Sequence, residues 1–105
     1  MYVLITGGFD PVHSGHINAF NKAAGMGKLT VGLNSDAWLI RKKQAFLLPY
    51  LERRTIIKHL NMVSNVLEPW NDSDGSACVA IQIFYNQYKE SNSTMLFVNG
   101  GDRVP

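Results

Sequence analysis

The stretch from Tyr2 to His16 constrains this chain more than any other. Tyr2-Val3-Leu4-Ile5 is a short apolar run, Gly7-Gly8 follows almost at once, and Phe9-Asp10-Pro11-Val12-His13-Ser14-Gly15-His16 leads into an amphipathic pattern. A short apolar run stopped by glycines reads as a buried strand, and the pattern beyond it reads as a helix. Gly7 and Gly8 carry no side chains, so an anionic ligand can approach the backbone there. The helix that follows offers free N–H groups and the positive end of its dipole, which suits phosphate. His13 and His16 are three apart, so both imidazoles share one helical face near that end once the helix has begun. Two ring donors beside bound phosphate are what phosphoryl or nucleotidyl transfer requires.

The rest of the chain alternates in the same way. Ile17, Phe20 and Ala24 recur at helical spacing, and Gly25 and Gly27 are expected to end that helix in left-handed positions. Leu29–Leu33 reads as a second strand, closed by Asn34-Ser35-Asp36, with Asp36 capping a short turn or helix over Ala37, Trp38 and Leu39. The segment Arg41–Pro49, which opens on the densest basic run, reads as a loop because Pro49 disfavours helix at Leu48. A helix from Tyr50 carries Ile56, Ile57, Leu60 and Val63 as its stripe, with Asn61 and Met62 at its close. Val66-Leu67-Glu68 reads as a third strand stopped by Pro69. A polar turn from Trp70 to Gly75 holds several candidate caps. Ala77, Ile81, Phe84 and Tyr88 mark another helix, with Cys78 and Tyr85 alongside, until Ser91-Asn92-Ser93 breaks it. Thr94–Val98 reads as a fourth strand, ending in a second glycine turn, Asn99-Gly100-Gly101-Asp102.

Strands alternating with helices predict βαβ units, hence a parallel sheet with right-handed crossovers. The expected fold class is α/β, with strand order 3-2-1-4 and helices on both faces. Strands 1 and 4 then flank the switch point at which ligands bind, which brings Gly7–His16 beside Gly100–Asp102.

Composition narrows the function classes. At 105 residues the chain is one small domain or part of one, and 46% hydrophobic residues suit a real core. Ten basic and eight acidic residues leave a net charge of +2, too mild to argue nucleic acid or a membrane surface as partner. The single cysteine, Cys78, sits on the apolar helix pattern, has no internal disulfide partner and lacks metal-site spacing. With no signal-peptide pattern at the N-terminus and no apolar stretch of roughly 20 residues, a cytoplasmic location is expected.

His13-Ser14-Gly15-His16, preceded by a strand, glycines and Phe9-Asp10, resembles the His-x-Gly-His signature of a nucleotidyltransferase superfamily. Its members include cytidylyltransferases acting on glycerol phosphate and adenylyltransferases acting on heptose phosphate. Asn34-Ser35-Asp36-Ala37, a basic loop followed by Glu52-Arg53-Arg54, and Gly100-Gly101-Asp102 extend the resemblance over nearly the whole chain. It implies a Rossmann-like sheet and a reaction in which CTP or ATP gives its nucleoside monophosphate to a phosphorylated polyol or sugar, with pyrophosphate released. It also implies Mg²⁺ carried with the triphosphate and a possible homodimer. The family's later Ser-Thr-Thr or Ser-Ser-Thr motif and fifth strand have no counterpart in residues 1–105. The expectation is therefore a single nucleotidyltransferase-like domain that is C-terminally incomplete, with strand 4 at an edge. A nucleotide-binding module without turnover is the alternative, and a purely structural α/β domain a third.

The resemblance assigns roles residue by residue. His13, His16, Lys42 and Lys43 are the catalytic candidates. Gly7, Gly8, Phe9, Asp10, Gly15, Gly100, Gly101 and Asp102 join the two histidines in nucleotide binding. Asp10, Arg54 and Trp70 are candidates for the acceptor, with Arg53 an alternative to Arg54. Each has a plainer reading: surface histidines, a helix-capping Asp10, a solvated basic loop, an exposed Arg54 beside Glu52, a turn-forming Asp102, and a Trp70 that only packs. No metal-ligand set is identified.

Overall fold

The computed structural model describes residues 1–99. Its elements are β1 (Tyr2–Gly7), α1 (Ser14–Met26), β2 (Lys28–Leu33), α2 (Asp36–Lys43), α3 (Tyr50–Lys58), β3 (Val63–Val66), α4 (Cys78–Tyr88), a short 3₁₀ turn at Lys89–Ser91, and β4 (Met95–Asn99). The strands form one sheet in the order β3-β2-β1-β4. All three pairings are parallel, with Ile5 beside both Val31 and Val98, and Val31 beside Val66. This is the Rossmann-like α/β order that the sequence predicts.

Alternation along the strands explains the layers. Val3 and Ile5 of β1 and Leu29, Val31 and Leu33 of β2 face one side, where Phe20 and Ala23 of α1 and Ile57 of α3 cover them. Leu4 faces the other side, against Ala80 and Phe84 of α4. Helices therefore pack on both faces. Among the described residues no helix is long and apolar enough to cross a membrane.

Several local expectations are corrected. α1 runs through Gly25, and Gly27 closes it with an extended backbone (φ 172°) rather than a left-handed one. Its lack of a side chain matters for space: a Cβ there would overlap the Met1 carbonyl. The buried stripe of α1 is His16, Phe20 and Ala23, one step round from Ile17 and Ala24.

The basic run does not begin a loop. Ser35, not Asp36, is the N-cap of α2, accepting the Trp38 N–H, and the helix continues through Arg41, Lys42 and Lys43. Three cations in a last turn complement the negative end of the helix dipole, and Gln44 closes the helix in the left-handed region (φ 68°) with its N–H on Ile40 O. Only the remainder, up to Pro49, is irregular.

α3 ends at Lys58, so Val63 passes from the predicted helix stripe into β3. β3 is therefore Val63–Val66 rather than Val66–Glu68. Leu67 still donates its N–H to Val31 O (3.0 Å) just past the strand's end. On α4 the buried positions are Ala80 and Phe84; Ile81 and Cys78 are exposed.

Candidate active site at the C-terminal end of the sheet

The chain leaves β1 through Gly7 and Gly8 under tight packing. A Cβ on Gly7 would stand 2.9 Å from Phe9 Cζ, and one on Gly8 2.7 Å from Leu39 Cδ2. Phe9 takes a left-handed backbone (φ 53°) and turns its ring back into the core, 2% exposed. There it meets Phe20 edge-on at 5.2 Å and His16 edge-on at 5.0 Å. Its side chain thus packs beneath the turn and does not face out of it.

His13 is the N-cap of α1, and with His16 it makes a reciprocal capping box. The Gly15 N–H donates to His13 Nδ1 at 3.1 Å, and the His13 N–H donates to His16 Nδ1 at 3.1 Å. A ring nitrogen that accepts from an amide carries no proton, which assigns the proton of each neutral imidazole to Nε2. The rings stack 3.9 Å apart at 28°. His13 is exposed, whereas His16 is buried against Phe9. Gly15 is small for a reason: a Cβ there would press on His13 Cε1 at 2.9 Å. The first turn of α1 holds no acidic residue, so its positive end meets no carboxylate of its own there.

Asp10, in the turn ahead of α1, accepts the Leu48 N–H on Oδ1 and the Leu47 N–H on Oδ2, both at 2.6 Å. Its carboxylate thus ties the α2–α3 connection to the β1 turn. Among the described residues no group of three or more His, Cys, Asp or Glu could hold a metal ion.

The two arginines, Arg54 and its alternative Arg53, have different surroundings. Arg53 is the one that reaches the glycine turn. Its guanidinium is fully buried and donates to Gly8 O (2.8 Å), Asn34 O (2.8 Å), Leu48 O (3.0 Å) and Asp36 Oδ1 (2.7 Å). Arg54 instead donates to Leu67 O at 2.7 Å and pairs with Glu68 at 3.3 Å, beside the end of β3. The signal for Arg53 was in the spacing. Tyr50, Arg53 and Ile57 fall at i, i+3 and i+7, which sets the arginine on the buried face.

Lys42 lies with its Nζ 4.6 Å above the Trp38 ring, and that ring borders Gly8. Lys43 is exposed at the last residue of α2. Trp70 packs against the Leu4–Leu67 cluster, with its Nε1 buried and, among the described residues, without a hydrogen-bond partner. It also walls a cleft of about 100 Å³ shared with Ser35, Asp36 and Tyr50. Asp72, unnoticed in the sequence as more than a cap, is buried and accepts from Ser35 N (2.8 Å), Ser35 Oγ (2.8 Å) and Asn34 Nδ2 (3.2 Å). Gly100, Gly101 and Asp102 lie outside the described residues.

The model of the cytidylyltransferase-like family matches residues 4–102. The chain is 38% identical over 66 residues to an ethanolamine-phosphate cytidylyltransferase of Arabidopsis thaliana, a match that covers 62% of this chain and 16% of that protein. It therefore spans about a sixth of the length of the curated relative it matches. The fold is shared with a lipopolysaccharide core biosynthesis protein from Thermoplasma volcanium, at a TM-score of 0.69 and 17% identity, over 99% of this chain and 98% of that one. With residues 4–102 matched, nearly the whole of its 105, this chain belongs to the cytidylyltransferase-like family.

Proposed function

We propose that this chain transfers a nucleoside monophosphate from CTP or ATP to a small phosphorylated alcohol and releases pyrophosphate. A polyol or sugar phosphate is the acceptor class expected from the sequence, and the name of the Arabidopsis relative adds ethanolamine phosphate to it. The observation that carries this reading is the pair of stacked imidazoles at the N-terminus of α1. In each, Nδ1 accepts a backbone N–H, which places the neutral ring's proton on Nε2.

In such a reaction an oxygen of the acceptor phosphate forms a bond to the α-phosphorus, and the bond from that phosphorus to the bridging oxygen of the β-phosphate breaks. The attacking oxygen is already anionic, so no general base is required. Rate comes from alignment and from donors placed where charge develops. The Nε2–H groups of His13 and His16 are the proposed donors. Lys42 and Lys43, at the end of α2, would neutralise phosphate oxygens as point charges. Mg²⁺ would arrive with the triphosphate, held by phosphate oxygens and water. The described residues offer it no cage of three or more His, Cys, Asp or Glu side chains.

The test is pyrophosphate release by the purified chain with CTP and with ATP, each against glycerol phosphate, a sugar phosphate and ethanolamine phosphate. Release that depends on one nucleotide and one acceptor is the expected result. Triphosphate binding without release would make the chain a nucleotide-binding module instead, and no nucleotide-dependent rise in Tm would remove both readings.

A further inference from the structure

We infer that Asp10 is a positioning residue, which straps residues 44–48 across the glycine turn and thereby sets where the basic end of α2 stands. Its consequence for turnover rests on the nucleotidyl-transfer reading above; its geometry does not. Both carboxylate oxygens are taken by successive amides, Leu47 N–H and Leu48 N–H, at 2.6 Å each. Consecutive N–H groups converging on one anion form a nest, and charge-assisted bonds of this kind are the strong ones. The same peptide segment is gripped from its other side, since Leu48 O accepts from Arg53 Nε at 3.0 Å.

Little else holds the strap. Leu47 is 74% exposed and Phe46 is exposed as well, so neither anchors the segment in the core. Upstream, Gln44 leaves α2 directly after Arg41, Lys42 and Lys43. That basic turn therefore stands between two fixed points. On one side Ser35 and Asp36 are tied to Asp72 and Arg53; on the other, Leu47 and Leu48 are tied to Asp10. A carboxylate with both oxygens occupied in this way acts on a bound phosphate through the strap, by orienting Lys42 and Lys43, rather than by touching it.

The experiment compares wild type, Asp10→Asn, Leu47→Pro and the double variant by amide hydrogen exchange and by steady-state kinetics of pyrophosphate release. Asparagine is isosteric but uncharged; proline removes one donor from an exposed position without touching Asp10. In the nucleotide-free protein, the side chain of Asp10→Asn keeps only one acceptor oxygen, so protection of at least one of the Leu47 and Leu48 amides is expected to fall roughly tenfold or more, the loss of one charge-assisted bond. Unchanged protection overturns the inference, whatever the kinetics show. In turnover, Asp10→Asn and Leu47→Pro should each lower kcat/KM roughly ten- to a hundredfold, mainly through KM for the triphosphate. The double variant should be no worse than either alone, because both cut one linkage. An inactive Asp10→Asn beside a wild-type-like Leu47→Pro would mean that Asp10 touches the reactants directly, and the inference fails while the enzyme reading stands. Absence of pyrophosphate release from wild type would end the enzyme reading, and the exchange data would still decide whether Asp10 holds the strap. If Leu47→Pro does not fold, the isosteric Asp10→Asn decides the question alone through exchange.

Discussion

Two atoms of His13 carry one observed role and one proposed role, and substitution can separate them. Nδ1 accepts the Gly15 N–H and so caps α1. Nε2 is the atom proposed to donate to a phosphate oxygen. The amide oxygen of asparagine can stand where Nδ1 does, but asparagine has nothing at the Nε2 position; alanine offers neither. His13→Asn is expected to melt close to wild type while losing roughly a hundred- to a thousandfold in pyrophosphate release, the usual cost of one oxyanion donor. His13→Ala should lose as much rate and about 1 kcal/mol of stability besides, the cost of a missing cap. Melting curves and turnover on the same two proteins check both halves. Equal Tm for the two variants would mean that the cap bond contributes nothing. An asparagine variant that turned over like wild type would remove His13 from the chemistry. The same residue scale explains Phe9. Its motif position suggested ligand contact, and its buried ring packs edge-on against His16.

Elements that follow a simple periodicity were legible; those fixed by distant partners were not. β1, α1 and their order with β2 could be read from apolar spacing and glycines. α2 could not be read to its end, because Arg41-Lys42-Lys43 carries no apolar signal. What extends the helix is its Ser35 cap, the dipole and the Lys42–Trp38 contact. The turn from Trp70 to Gly75 shows the same limit. Asp74 makes a local turn of the kind a sequence reveals, although the N-cap of α4 is Ala77, with no side-chain cap bond. The Asp74 carboxylate accepts the Ser76 N–H and hydroxyl, which hold its pKa below the ordinary aspartate value. That small contribution is present at neutral pH and disappears as pH falls through the lowered value. Asp72, two residues earlier, bonds across the sheet end to Asn34 and Ser35, more than thirty positions away, and its backbone carbonyl accepts from Arg41 at 2.8 Å. Asp72→Ala would leave the Asn34 amide, the Ser35 N–H and the Ser35 hydroxyl without that partner, costing roughly 3 kcal/mol. Asp74→Ala, on an exposed turn, should be almost silent. Urea denaturation of the two variants side by side checks the contrast. Similar midpoints would mean that the turn is not clamped through Asp72.

At the scale of the whole molecule, the site exists because separate pieces of chain end at one place, and Arg53 is the residue that makes them meet. Its guanidinium joins the turn after β1 (Gly8), the end of β2 (Asn34), the start of α2 (Asp36) and the strap before α3 (Leu48). The sequence offered Arg53 only as an alternative to Arg54 and could not name its acceptors, which are mostly backbone carbonyls and leave no mark in composition. A hydrophobic replacement of similar length can fill the volume, yet it takes the buried donor away from three carbonyls and removes the partner of Asp36. Arg53→Met is therefore expected to cost about 3–5 kcal/mol, the range for breaking a buried, hydrogen-bonded pair from one side. Against a total of about 5–15 kcal/mol for a domain this size, that is a large share, and Tm should fall by on the order of 15 °C. Arg53→Lys keeps the charge but not the planar fork, and one ammonium cannot reach acceptors spread over four chain segments. The expected order in urea midpoint is wild type, then lysine, then methionine, with little change in slope if each still unfolds as one unit. A methionine variant within 1 kcal/mol of wild type would show that apolar packing alone brings the ends of β1 and β2 together, and the histidines would then owe their placement to the core beneath Phe9 rather than to this buried cation.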